Sequence, residues 1–368
     1  MKGVLLVNLG TPQSPEPKDV GPFLKQFLMD PLVIDIPALA RWILVNLLIV
    51  PRRAKASSLL YKKVWGPKGS PLLYHTQELG AKVREQLGEK VPLEIGMRYG
   101  SPSLGEAISR LRAKGVTEFI VFPLYPQYSL AATESSVGEV KRILGGTPAT
   151  FVPAFYQHPA YLNAVKEVSA PYLQKNHFDM VVFSYHGLPE RQVKKIDPSG
   201  AHCLQIEGCC EQATAANRMC YRHHCYETTR ALSARLQLNP LRTVLGFQSR
   251  LGGTPWIKPY TDEYYRTLPS RGIKRIAVLC PSFVADCLET LEEVAIRGRE
   301  EFREHGGEEL VLVPSLNSET VWAKAVVTIL GDNGLFDQPS GHRAAGKNDE
   351  QQSPTQNERN GSVVEGHA

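Results

Sequence analysis

The stretch Val181-Val182-Phe183-Ser184-Tyr185-His186-Gly187-Leu188-Pro189-Glu190 decides how the chain reads. From Met180 onward its apolar and aromatic residues have the length and character of a short buried strand, and Gly187 and Pro189 end that strand within a few residues. His186 therefore falls where a strand passes into a loop. In an open α/β sheet the carboxyl edge of the strands is where ligands bind, so an imidazole there is a candidate functional group. The competing reading is a histidine that merely caps the strand through a backbone hydrogen bond, and position alone does not separate the two.

Similar β-rich runs recur at Val4 to Asn8, Leu93 to Tyr99, Phe119 to Leu124, Ala149 to Val152, Thr243 to Phe247, Arg275 to Cys280 and Leu310 to Val313. Between them lie stretches with helical spacing, among them Glu78 to Leu87, Leu104 to Lys114, Tyr161 to Gln174 and Tyr226 to Leu236. Strand alternating with helix predicts an α/β fold of parallel sheets with helices on both faces. The strands divide four and four, with the seam near residues 150 to 155. A chain of 368 residues is long enough for two domains, each with its own core. No close repeat links the halves in sequence.

The 42% hydrophobic content is that of a soluble globular protein, and the net charge of +5 is scattered, with no basic block to mark nucleic-acid binding. Met1-Lys2-Gly3 runs straight into an apolar strand and lacks a small-residue cleavage site, which points to a cytoplasmic protein. Asn8-Leu9-Gly10-Thr11-Pro12 follows the first strand but lacks the glycine spacing of a phosphate-binding loop. Pro31 to Val50 (PLVIDIPALARWILVNLLIV) is the most apolar run, interrupted by Asp35, Pro37, Arg41 and Asn46. It falls short of the roughly 20 apolar residues of a spanning helix. It reads either as a buried core helix or as an apolar rim that admits a hydrophobic ligand or touches lipid. Arg52, Arg53, Lys55, Lys62 and Lys63 just downstream suit lipid headgroups or a substrate's carboxylates. Residues 336–368 are polar and low in large apolar side chains, as in a disordered tail.

After the strand ending at Cys280, helical spacing places Val284, Cys287, Leu288 and Leu291 on one face and Asp286, Glu289 and Glu293 on another. A solvated polar face is the plain reading. The stripe begins, however, at the same sheet edge as His186, where carboxylates in file form a path for a divalent cation or for protons. Hard oxygen donors with one imidazole suit a site that holds ferrous iron only transiently.

Taken together, Asn8-Leu9-Gly10-Thr11-Pro12, Gly69-Ser70-Pro71-Leu72, Met97-Arg98-Tyr99-Gly100, Pro123 to Ser129, Ser184 to Pro189, Phe247-Gln248-Ser249-Arg250, Pro255-Trp256 and Ala285 to Glu293 resemble a ferrochelatase, of the Gram-negative bacterial form, over about residues 1 to 330. The resemblance implies two similar Rossmann-like chelatase domains, each a four-stranded parallel sheet flanked by helices, facing a common cleft. They are expected over 1–150, with a hydrophobic lip at 31–50 that admits porphyrin, and over 151–335. It implies a lyase that inserts ferrous iron into protoporphyrin IX and releases two protons, the last step of haem synthesis. His186 and Glu289 are then the catalytic pair and hold the iron, Glu293 continues the acidic ladder, and Tyr128 and Trp256 are candidate pocket aromatics. A neutral imidazole can accept a pyrrole proton and carboxylates can carry protons off or strip water from iron. Coproporphyrin III as substrate, or another divalent metal, is the alternative. A non-catalytic haem or iron-sulfur sensor is the third reading, opposed by the presence of both His186 and Glu289. Peripheral contact with the inner face of the cytoplasmic membrane fits the same picture.

Residues 199–225 depart from the simplest family pattern and hold five of the seven cysteines, Cys203, Cys209, Cys210, Cys220 and Cys225. In a cytosolic protein such a set points to metal rather than disulfides. Some bacterial ferrochelatases carry a [2Fe-2S] cluster, and Cys203, Cys210, Cys220 and Cys225 are the expected ligands, with Cys209 as substitute. Structural zinc, helped by His202, His223 and His224, is the rival.

Overall fold

Among the described residues eight parallel strands form two sheets of four. The computed structural model describes residues 1–336 except 176 and 251. In chain order the first half comprises β1 (Lys2–Thr11), α1 (Pro17–Leu28), α2 (Ala38–Ile43), a π-helical segment (Leu44–Ile49), α3 (Val50–Val64), α4 (Pro71–Leu87), β2 (Leu93–Gly100), α5 (Leu104–Ala113), β3 (Glu118–Pro123), a second π segment (Leu130–Glu134), α6 (Ser135–Leu144) and β4 (Ala149–Phe151). The second half comprises α7 (Pro159–Lys175), β5 (Met180–His186), α8 (Glu190–Lys195), α9 (Tyr221–Arg235), β6 (Thr243–Gln248), α10 (Thr261–Thr267), β7 (Arg275–Leu279), α11 (Leu288–Leu291), a third π segment (Glu293–Gly298), α12 (Arg299–Glu304), β8 (Glu309–Leu312) and α13 (Thr320–Asp332).

The sheet orders are β2-β1-β3-β4 and β6-β5-β7-β8, so the two halves share one topology. In each, the chain leaves the first strand to one side and returns to the other. The crevice between the carboxyl ends of those strands is the place where such a sheet binds ligands. Alternating residues divide the core. Leu5 and Val7 of β1 pack with Phe119, Ile108 and Val140 on one face of the first sheet, and Val182 of β5 packs with Ile276, Tyr265 and Phe302 on one face of the second. The opposite faces share a cluster in which Leu6, Phe122 and Leu79 join Phe183, Tyr185 and Trp322. Each half thus has a cluster of its own, and a further core runs between the sheets, so that Met1–Leu335 pack as one compact unit.

Pro31 to Val50 is not a buried core helix. Leu39 is 73% exposed and Leu47 57%, with Trp42, Ile43 and Leu48 also open to solvent. Among the described residues no helix is long and apolar enough to cross a membrane. The helix expected from residue 226 begins at Tyr221, which places Cys225 on α9 and Cys220 at its N-cap. Burial of Tyr221, His223, His224 and Cys225 drives this extension. The tail expected over 336–368 lies, beyond Phe336, outside the described residues.

Candidate active site

β5 ends in His186, whose backbone pairs in register with Gln248 at the end of β6. Gly187 N–H donates to the Gln248 carbonyl at 2.7 Å. A Cβ on residue 187 would stand 2.8 Å from that same oxygen and 3.2 Å from the Trp256 ring, so only glycine fits. This fixed turn aims the Gly187 carbonyl at the imidazole, and His186 Nδ1 lies 2.6 Å from it. A carbonyl oxygen only accepts, so Nδ1 carries the ring proton and Nε2 of the neutral ring keeps its lone pair.

Glu289 stands in the first turn of α11. Its backbone carbonyl accepts from Gln248 Nε2 at 2.8 Å, and the Gln248 amide oxygen accepts from Ser184 Oγ at 2.6 Å. One glutamine thus ties the strand carrying His186 to the turn carrying Glu289. Both residues line the same cleft, of about 1310 Å³ including its open mouth. Its walls come from the tips of both sheets, through Asn8 to Thr11, Leu124 and Ser282, from α1 through Phe23 and Phe27, and from α3 through Tyr61 and Val64. Burial, then the nearby Glu289 carboxylate, pushes the Tyr61 phenol well above its usual range. Among the described lining residues there is no lysine or arginine.

The acidic file is shorter than its spacing predicts. Pro281 to Cys287 form turns and extended chain, with Cys287 at φ −150°, and the helix starts only at Leu288. Asp286 is buried before it. Its carboxylate accepts from Thr290 Oγ1 at 2.9 Å and Asn317 Nδ2 at 2.7 Å, which is a structural tie rather than a place in the file. Glu293 lies beyond Glu289, on a second cavity of about 610 Å³ that also has Arg250, Asp262, Arg266 and Glu301 on its wall. Ser249, in the left-handed region at φ 67°, donates to Glu293 through its backbone N–H at 2.8 Å and its hydroxyl at 2.5 Å. Burial raises the Glu293 carboxyl above the ordinary range, while the Ser249 hydroxyl and Arg297 oppose the shift.

Tyr128 and Trp256 adjoin the cleft but are not on its wall. The Tyr128 hydroxyl donates to Glu134 at 3.3 Å, and the Trp256 ring packs 6.5 Å from the His186 ring. Aromatic wall residues outside every motif quoted above include Phe23, Phe27, Tyr61 and Tyr221. No motif marks them, because helices distant in the chain supply most of them. One π segment contributes Ala131 and Ala132 to the wall, and another begins directly after Glu292. Extra-wide turns of this kind concentrate at functional sites.

The cysteine loop abuts the same cleft through Tyr221. All five of its thiols are free and buried. The neighbouring Cys203 thiol is the main reason the Cys220 thiol is pushed up to about 12, with burial adding to it and Cys210 opposing. Cys209 Sγ lies 3.9 Å from Cys210 Sγ, and Arg222 Nη1 donates to Cys210 Sγ at 3.2 Å. Cys225 is deepest, in the shared core, against the Tyr221 phenol. Asp197 and Asn217 brace the loop. Asp197 accepts from the backbone N–H groups of His202 at 2.9 Å and Cys203 at 2.8 Å, and Asn217 Nδ2 donates to the Cys209 carbonyl at 2.9 Å. His202 and His223 each direct one ring nitrogen at a backbone carbonyl, of Cys209 and Cys210. His224 uses both, donating from Nε2 to Arg218 O and accepting at Nδ1 from the Tyr128 N–H. Among the described residues no group of three or more His, Cys, Asp or Glu is arranged to hold a metal ion.

The ferrochelatase family profile matches residues 1–333. The chain belongs to the ferrochelatase family. Ferrochelatases are enzymes that insert iron into a porphyrin, a lyase reaction of haem synthesis. Relatives include the ferrochelatase of Coxiella burnetii (strain CbuK_Q154), 43% identical over 88% of this chain and 91% of the relative. The ferrochelatase of Legionella pneumophila (strain Lens) is likewise 43% identical, over 90% of this chain and 99% of its own length. Among solved structures, SirB from Bacillus subtilis with Fe3+ matches at TM-score 0.49 and 10% identity, over 91% of this chain and 96% of that one.

Proposed function

We propose that this chain inserts ferrous iron into protoporphyrin IX in the cleft between the strand tips, with His186 and Glu289 as the catalytic pair and Glu293 behind them. The carrying observation is that one imidazole with a fixed tautomer and one carboxylate, tied through Gln248, line a single cavity. In the reaction two pyrrole N–H bonds break, four iron–nitrogen bonds form and two protons leave, with no change in oxidation state. His186 Nε2 accepts protons at the ring centre, and Glu289 exchanges them or replaces water on the iron as it enters. Glu293 hands charge on toward the second cavity.

The wall chemistry favours protoporphyrin over coproporphyrin. Protoporphyrin has an apolar edge and two carboxylates that can stay at the mouth. Coproporphyrin carries four carboxylates, and burying any of them against a wall without lysine or arginine carries a heavy desolvation cost. Residues 1–150 and 151–335 act as the two chelatase domains. The exposed Leu39, Trp42, Ile43, Leu47 and Leu48 form the lip through which porphyrin arrives, and with Arg52, Arg53 and Lys55 nearby they rest on the cytoplasmic face of the membrane. Lys62 and Lys63 take no part in that patch, being paired with Glu16 and Glu292. Anaerobic Fe2+ addition is expected to quench protoporphyrin IX fluorescence faster than that of coproporphyrin III. A preference for coproporphyrin sinks the substrate assignment, and no quenching of either sinks the chemistry.

For the cysteine loop we propose a [2Fe-2S] cluster on Cys203, Cys210, Cys220 and Cys225, with Cys209 in reserve, its binding drawing together thiols that as they stand form no metal-holding group among the described residues. The buried thiols without disulfides, and Arg222 as a donor to sulfur, suit an anionic cluster. His224 has both ring nitrogens engaged, which removes one of the three histidines from the zinc alternative. When bound, the cluster supplies structural ties or one-electron chemistry. The purified protein is expected to be brown, with visible absorption bleached by reductant and lost in Cys225→Ser. Colourless protein with stoichiometric zinc overturns this assignment.

A further inference from the structure

Glu292 presents a problem of charge burial that no step above uses. Its side chain is only 3% exposed, yet it is a carboxylate. A buried carboxylate persists where cations compensate it, and two do. Arg297 Nε lies 3.6 Å from Oε2, from within the same turn of chain. Lys63 Nζ lies 3.3 Å from Oε1 and arrives from 229 residues away, at the end of α3.

Both ends of the long-range pair have meaning for the cleft. Lys63 sits between Tyr61 and Val64, which are cleft-wall residues, and α3 ends one residue later, where Trp65 turns extended. Glu292 follows α11 directly, three residues past Glu289, and its carbonyl accepts from the Arg297 N–H at 2.9 Å where the π segment begins. The pair therefore joins the last turn of α3 to the junction that orients Glu289. The asymmetry matters too: Lys63 is 47% exposed. Removing it leaves little void but leaves the buried Glu292 charge to Arg297 alone.

We propose that the Lys63–Glu292 ion pair is a fastener that holds the α3 wall of the cleft at a set distance from Glu289, making Lys63 and Glu292 positioning residues for metal insertion. This rests on the reading of Glu289 as a working carboxylate. Small displacements of a reacting group are costly in rate, so the pair governs turnover more than porphyrin affinity.

The test compares Lys63→Met, Lys63→Arg and the double variant Lys63→Met/Glu292→Gln in the full-length protein. Turnover with protoporphyrin IX and anaerobic Fe2+ is measured beside metal-free porphyrin affinity, from quenching of protein fluorescence, and the thermal midpoint. Lys63→Met is expected to lose about tenfold in kcat, the effect of a coupled charge pair, with porphyrin affinity nearly unchanged. Lys63→Arg restores most of the rate. The double variant regains thermal stability, because no buried carboxylate is left with half its compensation, but stays slow because the fastener is still absent. Recovery of rate together with stability makes the pair merely structural and overturns the proposal. So does a Lys63→Met protein that turns over like the parent, or a Lys63→Arg protein as slow as Lys63→Met. A parent protein that inserts no iron fails the underlying reading instead.

Discussion

Replacing His186 with alanine is expected to lower the rate of iron insertion by about 10³-fold, within the span of a positioned general base, while leaving porphyrin binding nearly intact. The reason lies in the turn after β5. With Nδ1–H directed at the Gly187 carbonyl at 2.6 Å, the ring is held in one tautomer, and that carbonyl is itself fixed because residue 187 has no room for a Cβ. The lone pair of Nε2 is thereby available before substrate arrives, so no rearrangement precedes proton transfer. His186→Gln is a sharper control, since it retains polarity at the strand tip but has no basic nitrogen. Initial rates from anaerobic Fe2+ quenching of bound protoporphyrin measure the loss. Partial recovery on adding free imidazole to His186→Ala assigns the effect to the missing base. Insertion within tenfold of the parent would falsify the role given to this histidine.

Much of this arrangement was legible because parallel strands are covered on both faces and so read as unbroken apolar runs. Val182, Phe183 and Tyr185 are fully buried, and the expected ends of that strand and of its seven counterparts fall within two residues of those observed, except at the longer β1. The same property hid the shared core. A strand buried on both faces has one pattern whether a helix of its own half or material from the other half covers it, so Leu6 and Phe183 could not announce that they belong to one cluster. Spacing misled at Asp286, where the three-and-four rhythm continues through residues held extended before Leu288. Aromatic motifs gave neighbourhood without direction, which is why Tyr128 and Trp256 stand beside the cleft and the walls are made by Phe27 and Tyr61 instead.

Glu289→Gln is the second large effect expected: a fall in kcat of about 10²-fold, in the range of a positioned proton-transfer group, with the fold unchanged. The substitution keeps size and shape, and Gln248 holds the backbone carbonyl of residue 289 in place whichever side chain follows it. What is lost is the charge that helps draw protons and iron through the cleft. One measurable by-product is the Tyr61 phenol, which the Glu289 carboxylate helps hold above its usual range and which falls toward it in the variant. Glu293 then sets the pH dependence. Burial raises its carboxyl, so at pH values where an exposed glutamate is already ionised it still holds its proton and cannot take another. The rate is therefore expected to climb as pH rises through that raised value, and Glu293→Gln to flatten the climb while slowing turnover less than Glu289→Gln does. Stability runs the opposite way to rate: the raised carboxyl favours the folded state at low pH, and that contribution is lost as pH rises past its folded value. If Glu289→Gln inserts iron at the parent rate across the whole profile, the carboxylate is a bystander and the histidine must act with some other partner on the wall.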